Sequence, residues 1–331
     1  MPRSKPELVN RRRFLGSLTA AAAVGGAGCR TAPSGGTAPR IIDTHTHFYD
    51  PYRPGGVPWP AKEDPFLFRT VLPPEYERIA RPLGIEGTLV VEASPWVSDN
   101  DWVLDLAERE PFLVGLVGHL KPGRAGFAED LAKFSRNPRF RGIRIGSSEV
   151  GMANGNDEVL KDLGRVADAG LALDVLVGTE QLPQVARLAS RLPVLSIVID
   201  HCANVRVDGH EPPPAWREGV SECARHAGIH MKVSGLVEGT GRTEGTAPRD
   251  VEHYRPVLDA IWQTFGEDRL IFGSNWPVSA RFAPLEVVHG IVAEFFAERG
   301  PVASAKYFAG NAAKVYGVGA RSRSPGRLAR S

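Results

Sequence analysis

From residue 40 onward the chain repeats one pattern: a short apolar run rich in β-branched residues, a polar loop, then apolar positions at helical spacing. The runs are Ile41–Phe48, Ile85–Ala93, Phe112–Leu120, Phe140–Gly146, Leu171–Gly178, Val194–Cys202, Ile229–Leu236 and Arg269–Trp276. They are near-continuously apolar rather than alternating, which predicts parallel strands covered by helices. Helical spacing recurs over Asp99–Glu110, Asp157–Ala169, Glu180–Arg191, Pro214–Ala227, Tyr254–Phe265 and Leu285–Arg299. The helix at Asp99 opens on a capping residue and sets Val103, Leu104, Leu106 and Ala107 on one face. Eight βα units in about 280 residues is the count of a closed (β/α)8 TIM barrel, an α/β fold in a single domain. The competing arrangement, an open doubly wound sheet, would carry a Gly-rich dinucleotide fingerprint after the first strand, and none follows Phe48. A closing helix over Gly310–Tyr316 is expected to pack against the barrel bottom.

Residues 1–39 do not share this pattern. Asn10-Arg11-Arg12-Arg13-Phe14-Leu15, followed by Leu18, Ala20 to Ala23 and Val24, fits a twin-arginine export signal. Glycines interrupt its apolar part, which falls short of the ~20 residues a spanning helix needs. Gly26-Ala27-Gly28-Cys29 resembles a lipoprotein processing site and equally suits simple cleavage, and Thr31 to Pro39 has the composition of a flexible tether. The expectation is therefore an exported protein, periplasmic or tethered through Cys29, that meets a membrane only through its signal or a lipid anchor. The barrel would span 40–318, with a disordered basic tail over 319–331. Net charge is +2, with arginines concentrated at the two termini. The middle of the chain is left without the basic face that nucleic acid requires, so the partner expected is a small molecule. Cys29, Cys202 and Cys223 are too few and too widely spaced for a disulfide framework or a zinc cluster, and the last two are expected as buried free thiols.

In a barrel of this kind the C-terminal strand ends form the mouth of the active site. Those ends carry Asp43, His45, His47, Glu92, His119, Arg144, Asp174, Asp200, His201, Lys232, Ser234, Ser274 and Asn275 on otherwise apolar strands. His45 and His47 share one side of the first strand. They could hold one divalent metal, zinc or manganese, or hydrogen-bond a substrate carbonyl with no metal at all. His201 is a natural third ligand or oxyanion donor, or else a core histidine satisfied by backbone. Alternation sets Asp200 on the opposite side, as a scaffold brace. Arg144 could fork onto a substrate carboxylate or lie in a salt bridge of the barrel wall. Lys232 and Ser234 share a face of the seventh strand, where they contact substrate or fill a polar layer above the core.

The motifs Ile42-Asp43-Thr44-His45-Thr46-His47, Arg141-Gly142-Ile143-Arg144, Val198-Ile199-Asp200-His201, Lys232-Val233-Ser234-Gly235-Leu236, Phe272-Gly273-Ser274-Asn275-Trp276-Pro277 and Gly310-Asn311-Ala312-Ala313-Lys314 follow in order from 41 to 316. In that order they resemble the amidohydrolase superfamily, and within it the group containing sugar-lactone and dicarboxylate-lactone hydrolases. The resemblance implies attack of water on a lactone carbonyl, polarised by histidines or a metal, with a strand-eight aspartate as base and Trp276 among the substrate contacts. Three departures bear on this. The aspartate is replaced by Asn275, which has no basic site at neutral pH. Ile145 stands where relatives often carry a histidine, and Asp174 where metal-rich members have one, so a two-metal site is not expected. Glu92 or Asp174 could serve as base, a single metal could activate water unaided, or the barrel could bind without catalysing. The alternatives to a lactonase are thus a nonoxidative decarboxylase of the same superfamily and an exported binding protein.

Overall fold

The computed structural model describes residues 40–318. The export motif, Cys29 and the basic tail lie outside the described residues. The strands are β1 (Ile41–Thr46), β2 (Ile85–Val91), β3 (Leu113–Gly118), β4 (Phe140–Gly146), β5 (Ala172–Leu176), β6 (Ile197–Ile199), β7 (Ile229–Val233) and β8 (Leu270–Phe272). They form one eight-stranded sheet in sequence order, each parallel to the next. The ring closes just past the end of β8. Asn275 N donates to His45 O at 2.8 Å and His47 N to Trp276 O at 2.9 Å, and Thr46 and Trp276 form a parallel bridge. The seam of the barrel therefore runs through the segments that carry the histidines and the asparagine.

Two apolar layers follow. Ile42, Leu89, Val117, Ala172, Val198 and Ile271 come from different strands yet pack together with Ala312, Val315 and Tyr316. Residues of six strands can meet only inside the ring. The helix α11 (Asn311–Tyr316) supplies the last three, so it plugs the barrel core as expected of the closing segment. The larger layer lies between the strands and the outer helices.

Six outer helices match their sequence patterns: α2 (Asp99–Arg109), α5 (Asp157–Asp168), α6 (Leu182–Arg191), α7 (Pro214–Ala224), α8 (Val251–Phe265) and α9 (Leu285–Ala297). Helix α8 starts ahead of the apolar period because Asp250 caps it, accepting from Glu252 N at 3.0 Å. Four helices have no strong periodic signal: α1 (Pro73–Ala80), α3 (Phe127–Phe134), α4 (Ser147–Ala153) and α10 (Pro301–Ala305). With eight residues or fewer, each shows little more than two turns of spacing. Seven strands also end sooner than their apolar runs; only Phe140–Gly146 ends where its run does. Some of the residues beyond, such as His47, Glu92 and His119, have left the ladder and line the mouth, and hydropathy does not register that change of backbone. Cys202 and Cys223 are free and buried, as expected.

Candidate active site

Asp43 and His45 of the first strand face different layers. Asp43 accepts at Oδ1 from His45 N and Ser274 N, both at 2.9 Å, and at Oδ2 from the Tyr76 hydroxyl of α1. It therefore ties the seam to the outer helices rather than facing the mouth with its neighbours. A register irregularity between Asp43 and Thr46 separates its direction from that of His45, although the two stand two residues apart. His45 turns inward. Its ring lies 4.4 Å from that of His201 and 5.0 Å from that of His47, and its Nε2 is buried with no hydrogen-bond partner. Gly273 makes room for it, since a Cβ there would lie 2.9 Å from the His45 Cβ.

Strand β6 stops at Ile199, and the next turn is unusual. His201, Cys202, Ala203 and Asn204 are all left-handed, with φ of 53°, 51°, 55° and 49°. Non-glycine residues enter this region at a cost of roughly 1–2 kcal/mol each. The turn is held by Trp216 Nε1 on Cys202 O and Asn204 Nδ2 on Val177 O, both at 2.9 Å. Its consequence overturns the alternation argument for Asp200. Ligand atoms of His45, Asp200 and His201 all lie within 4.8 Å of one another. His47 was expected in that set in place of Asp200, but its ring nitrogens are engaged elsewhere: Nδ1 lies 3.0 Å from Val91 O and Nε2 3.2 Å from Asn275 Oδ1. Ser234 acts on His201 rather than on a substrate, its Oγ 2.9 Å from Nδ1. Gly235, at φ 67°, lets the histidine approach, because a Cβ there would sit 2.8 Å from the His201 Cβ.

Beneath these residues lies a buried ionic floor. Lys232 Nζ is 2.5 Å from Asp174 Oδ2 and 3.0 Å from Asp200 Oδ1, and Tyr316 donates to Asp174 Oδ1 at 2.8 Å. All three charged side chains are out of solvent. Burial disfavours the Lys232 charge, but the two aspartates outweigh it and raise its pKa. Burial likewise opposes the Asp200 charge, and Lys232, helped by His45 and His201, holds it well below the usual carboxylate range. Two expectations are corrected here. Lys232 fills a polar layer and does not meet a substrate, and Asp174, with both oxygens engaged, is no free base. The Lys232 contact to Asp200 is off hydrogen-bond angle, so neither Asp200 oxygen has a hydrogen-bond donor in place.

Next to this cluster opens a cavity of about 380 Å3 lined by His47, Trp59, Glu92, His119 and Arg144. Arg144 binds Glu92 twice, Nε to Oε1 at 2.8 Å and a terminal nitrogen to the backbone oxygen at 2.7 Å. Burial raises the Glu92 pKa, with Arg144 opposing. His119 is pinned by Asn100, which bonds both its backbone N and its O at 2.9 Å, and burial pulls its pKa down to about 4. Trp59, from the loop between β1 and α1, stands edge-on to His47 at 5.6 Å. Trp276 does not contact the cavity. It is 2% exposed and packs on Tyr76 and Phe48, with ring centroids 5.0 Å and 6.0 Å away.

Asn275 completes the mouth. Its φ of 60° suits asparagine better than most residues, and its Nδ2 donates to Glu238 Oε1 at 2.7 Å. The sequence reading had not singled out Glu238. It lies beyond the apolar run of β7, in a turn spanning Glu238–Thr240, where no motif marks it. The signal that could have found it was the asparagine itself, whose NH2 group needs a buried acceptor. Burial pushes the Glu238 carboxyl up to about 7, and its Oε2 has no partner.

Residues 42–318 match the amidohydrolase family. The L-fucono-1,5-lactonase of Burkholderia ambifaria is 32% identical over 283 residues, covering 84% of this chain and 95% of the relative. The protein of the same name from Burkholderia multivorans is 27% identical over 285 residues, covering 84% and 96%. A zinc-bound amidohydrolase structure from Burkholderia multivorans superimposes with a TM-score of 0.75 at 26% identity, covering 84% of this chain and 99% of the other. With the histidines at the barrel seam and the family match running from first strand to closing helix, this chain belongs to the amidohydrolase family, as a hydrolase similar to its lactonases.

Proposed function

We propose that this protein opens the ring ester of a neutral sugar-acid lactone of the L-fucono-1,5-lactone class, by attack of water at the barrel mouth. The observation that carries the substrate class is the Arg144–Glu92 pair. The cavity's arginine is already neutralised inside the wall, so the cavity holds no unpaired cation that would call for a carboxylate. A neutral lactone ring studded with hydroxyls suits it better. Glu92 and Arg144 offer an acceptor and donors for hydroxyls, Trp59 offers an apolar edge, and about 380 Å3 lies in the usual range for small-ligand pockets. The same pairing argues against an acid substrate, and so against a dicarboxylate lactone or a decarboxylation.

The donor set beside the cavity fits one divalent ion. His45 Nε2 and both Asp200 oxygens are buried without hydrogen-bond partners, and two imidazoles with one carboxylate suit zinc or manganese. Such an ion, held by His45, Asp200 and His201, would supply Lewis acidity to a carbonyl oxygen or to water. Ser234 fixes the ring of His201, and Lys232 fixes Asp200 from below. A screen of sugar lactones with a pH indicator should show proton release, strongest for neutral six-membered aldonolactones and weak for dicarboxylate lactones. Chelation should abolish the rate, and zinc or manganese should restore it. Release of carbon dioxide from an aromatic acid, with no proton release from any lactone, would overturn the proposal.

We further propose that residues 1–39 export the folded barrel by the twin-arginine route. Exchanging Arg11 and Arg12 for lysine keeps the charge, yet should leave the protein in the cytoplasm. Cys29→Ser should move an exported, lipid-tethered protein from the membrane fraction to the soluble periplasm; an unchanged distribution would mean simple cleavage instead of lipidation.

A further inference from the structure

The carboxamide of Asn275 has one NH2 group and two buried acceptors that want it. On one side Glu238 Oε1 lies 2.7 Å from Nδ2. On the other, His47 Nε2 lies 3.2 Å from Oδ1. His47 Nδ1 sits 3.0 Å from Val91 O, and a carbonyl can only accept, so the ring proton is on Nδ1. With its proton on Nδ1, the neutral ring keeps a lone pair on Nε2. Two acceptors therefore face each other, and the bond from the NH2 group to Glu238 holds the amide against turning over. The two orientations of an amide differ by exchange of N and O, so the hydrogen-bond partners decide between them.

We propose that Glu238 is a positioning residue that gates the active site by setting which end of Asn275 faces His47. When Glu238 is ionised, its charge-assisted bond takes the NH2 group, and Oδ1 and the His47 lone pair stand side by side as paired acceptors open to the attacking water. When Glu238 is protonated, it donates to Oδ1 instead. The amide then turns, and its NH2 caps the His47 lone pair. The carboxylate absent from strand eight thus stands one amide away, on the turn after β7.

Three observations support the gate. Glu238 is only partly buried as a residue, but its Oε2 is sealed from solvent and makes no hydrogen bond, so only its own backbone N–H and the Asn275 amide favour the charged form against burial. Burial places its pKa at about 7, where either form is accessible. The groups around it do not compete. Tyr254 of α8 faces it with its hydroxyl donated to Pro248 O at 2.7 Å, and the neighbouring His253 is turned to Val207 O at 3.2 Å. The adjoining Val205–Val207 segment, against which Gly239 packs, brings Arg206 only as an exposed side chain beside Asp208. An aspartate at 275 would set two carboxyls against each other, so Asn275 and Glu238 form a matched pair.

The gate predicts a titration visible without any substrate. The side-chain amide resonances of Asn275, identified by their loss in Asn275→Asp, should shift with pH with a midpoint near 7 in the wild-type protein, and should be pH-independent in Glu238→Gln. Kinetically, and resting on the lactonase reading, kcat for the best lactone should rise with pH through that midpoint. Glu238→Gln should flatten this limb. Glu238→Leu, which leaves the NH2 permanently on His47, should lower kcat on the order of 10²-fold with little change in KM. Folding is controlled by the same chemistry. A carboxyl with a raised native pKa loses stability as pH rises from 4.5 toward about 7, so Glu238→Gln should melt no lower than the wild type above that range. An Asn275 titration in a protein that opens no lactone would support the gate and overturn the lactonase reading. Asn275 resonances that do not titrate, or that titrate identically in Glu238→Gln, would overturn the gate.

Discussion

His45→Ala is expected to abolish lactone hydrolysis, lowering kcat/KM by at least on the order of 10³-fold, and to remove the capacity to hold the divalent ion proposed for the site. The imidazole touches the rest of the site, with Asp200 Oδ1 3.5 Å from its Nδ1 and the rings of His201 and His47 at 4.4 Å and 5.0 Å. Its Nε2 is buried without a partner, a cost a folded protein bears where the atom has another use. The substitution should spare the fold. Closure of the barrel uses the backbone of residue 45, through its N on Asp43 and its O on Asn275, and alanine keeps both. Metal content by mass spectrometry of the native protein, with a melting curve beside it, separates loss of the site from loss of structure. Retained metal with wild-type turnover would remove His45 from the chemistry.

How much of this site can be read from the chain depends on what places each residue. His45, His47, Arg144, His201 and Asn275 stand on or just past apolar runs, so the count of strands delivers them to one end of the barrel. Asp200 was placed on the wrong side, because the rule of alternating faces assumes a strand, and the backbone there turns left-handed after Ile199. Asp43 failed for a related reason, a register break within β1. Lys232 and Asp174 stand on their strands as expected of the polar ring, but depth along the strand, which decides between floor and cavity, has no signature in hydropathy. Trp276 lies next in sequence to a site residue, yet its ring packs outward on α1. Glu238 was invisible for another reason. Its partner stands 37 positions away, and although the Asn275 amide calls for a buried acceptor, nothing in the sequence says which carboxylate supplies it.

Lys232→Met should cost about 3–5 kcal/mol of stability, the range for breaking a buried ion pair from one side. The side chain is fully buried between Asp174 and Asp200, and methionine matches its length and volume without its charge. The loss would therefore come from two carboxylates left facing each other in a medium of low polarity, and not from a cavity. For a domain of this size that corresponds to a drop in Tm of roughly 5–9 °C. The companion variant isolates the cause. Asp174→Asn combined with Lys232→Met removes one of the two uncompensated charges, and Tyr316 can still donate to the amide oxygen that replaces Asp174 Oδ1. The pair lies in one network, so their effects should not add: the double variant should melt higher than Lys232→Met alone. If it melts at the same temperature or lower, the repulsion between the aspartates is not what Lys232 relieves, and its contribution lies in packing against Tyr316, whose ring centroid is 5.5 Å from Nζ.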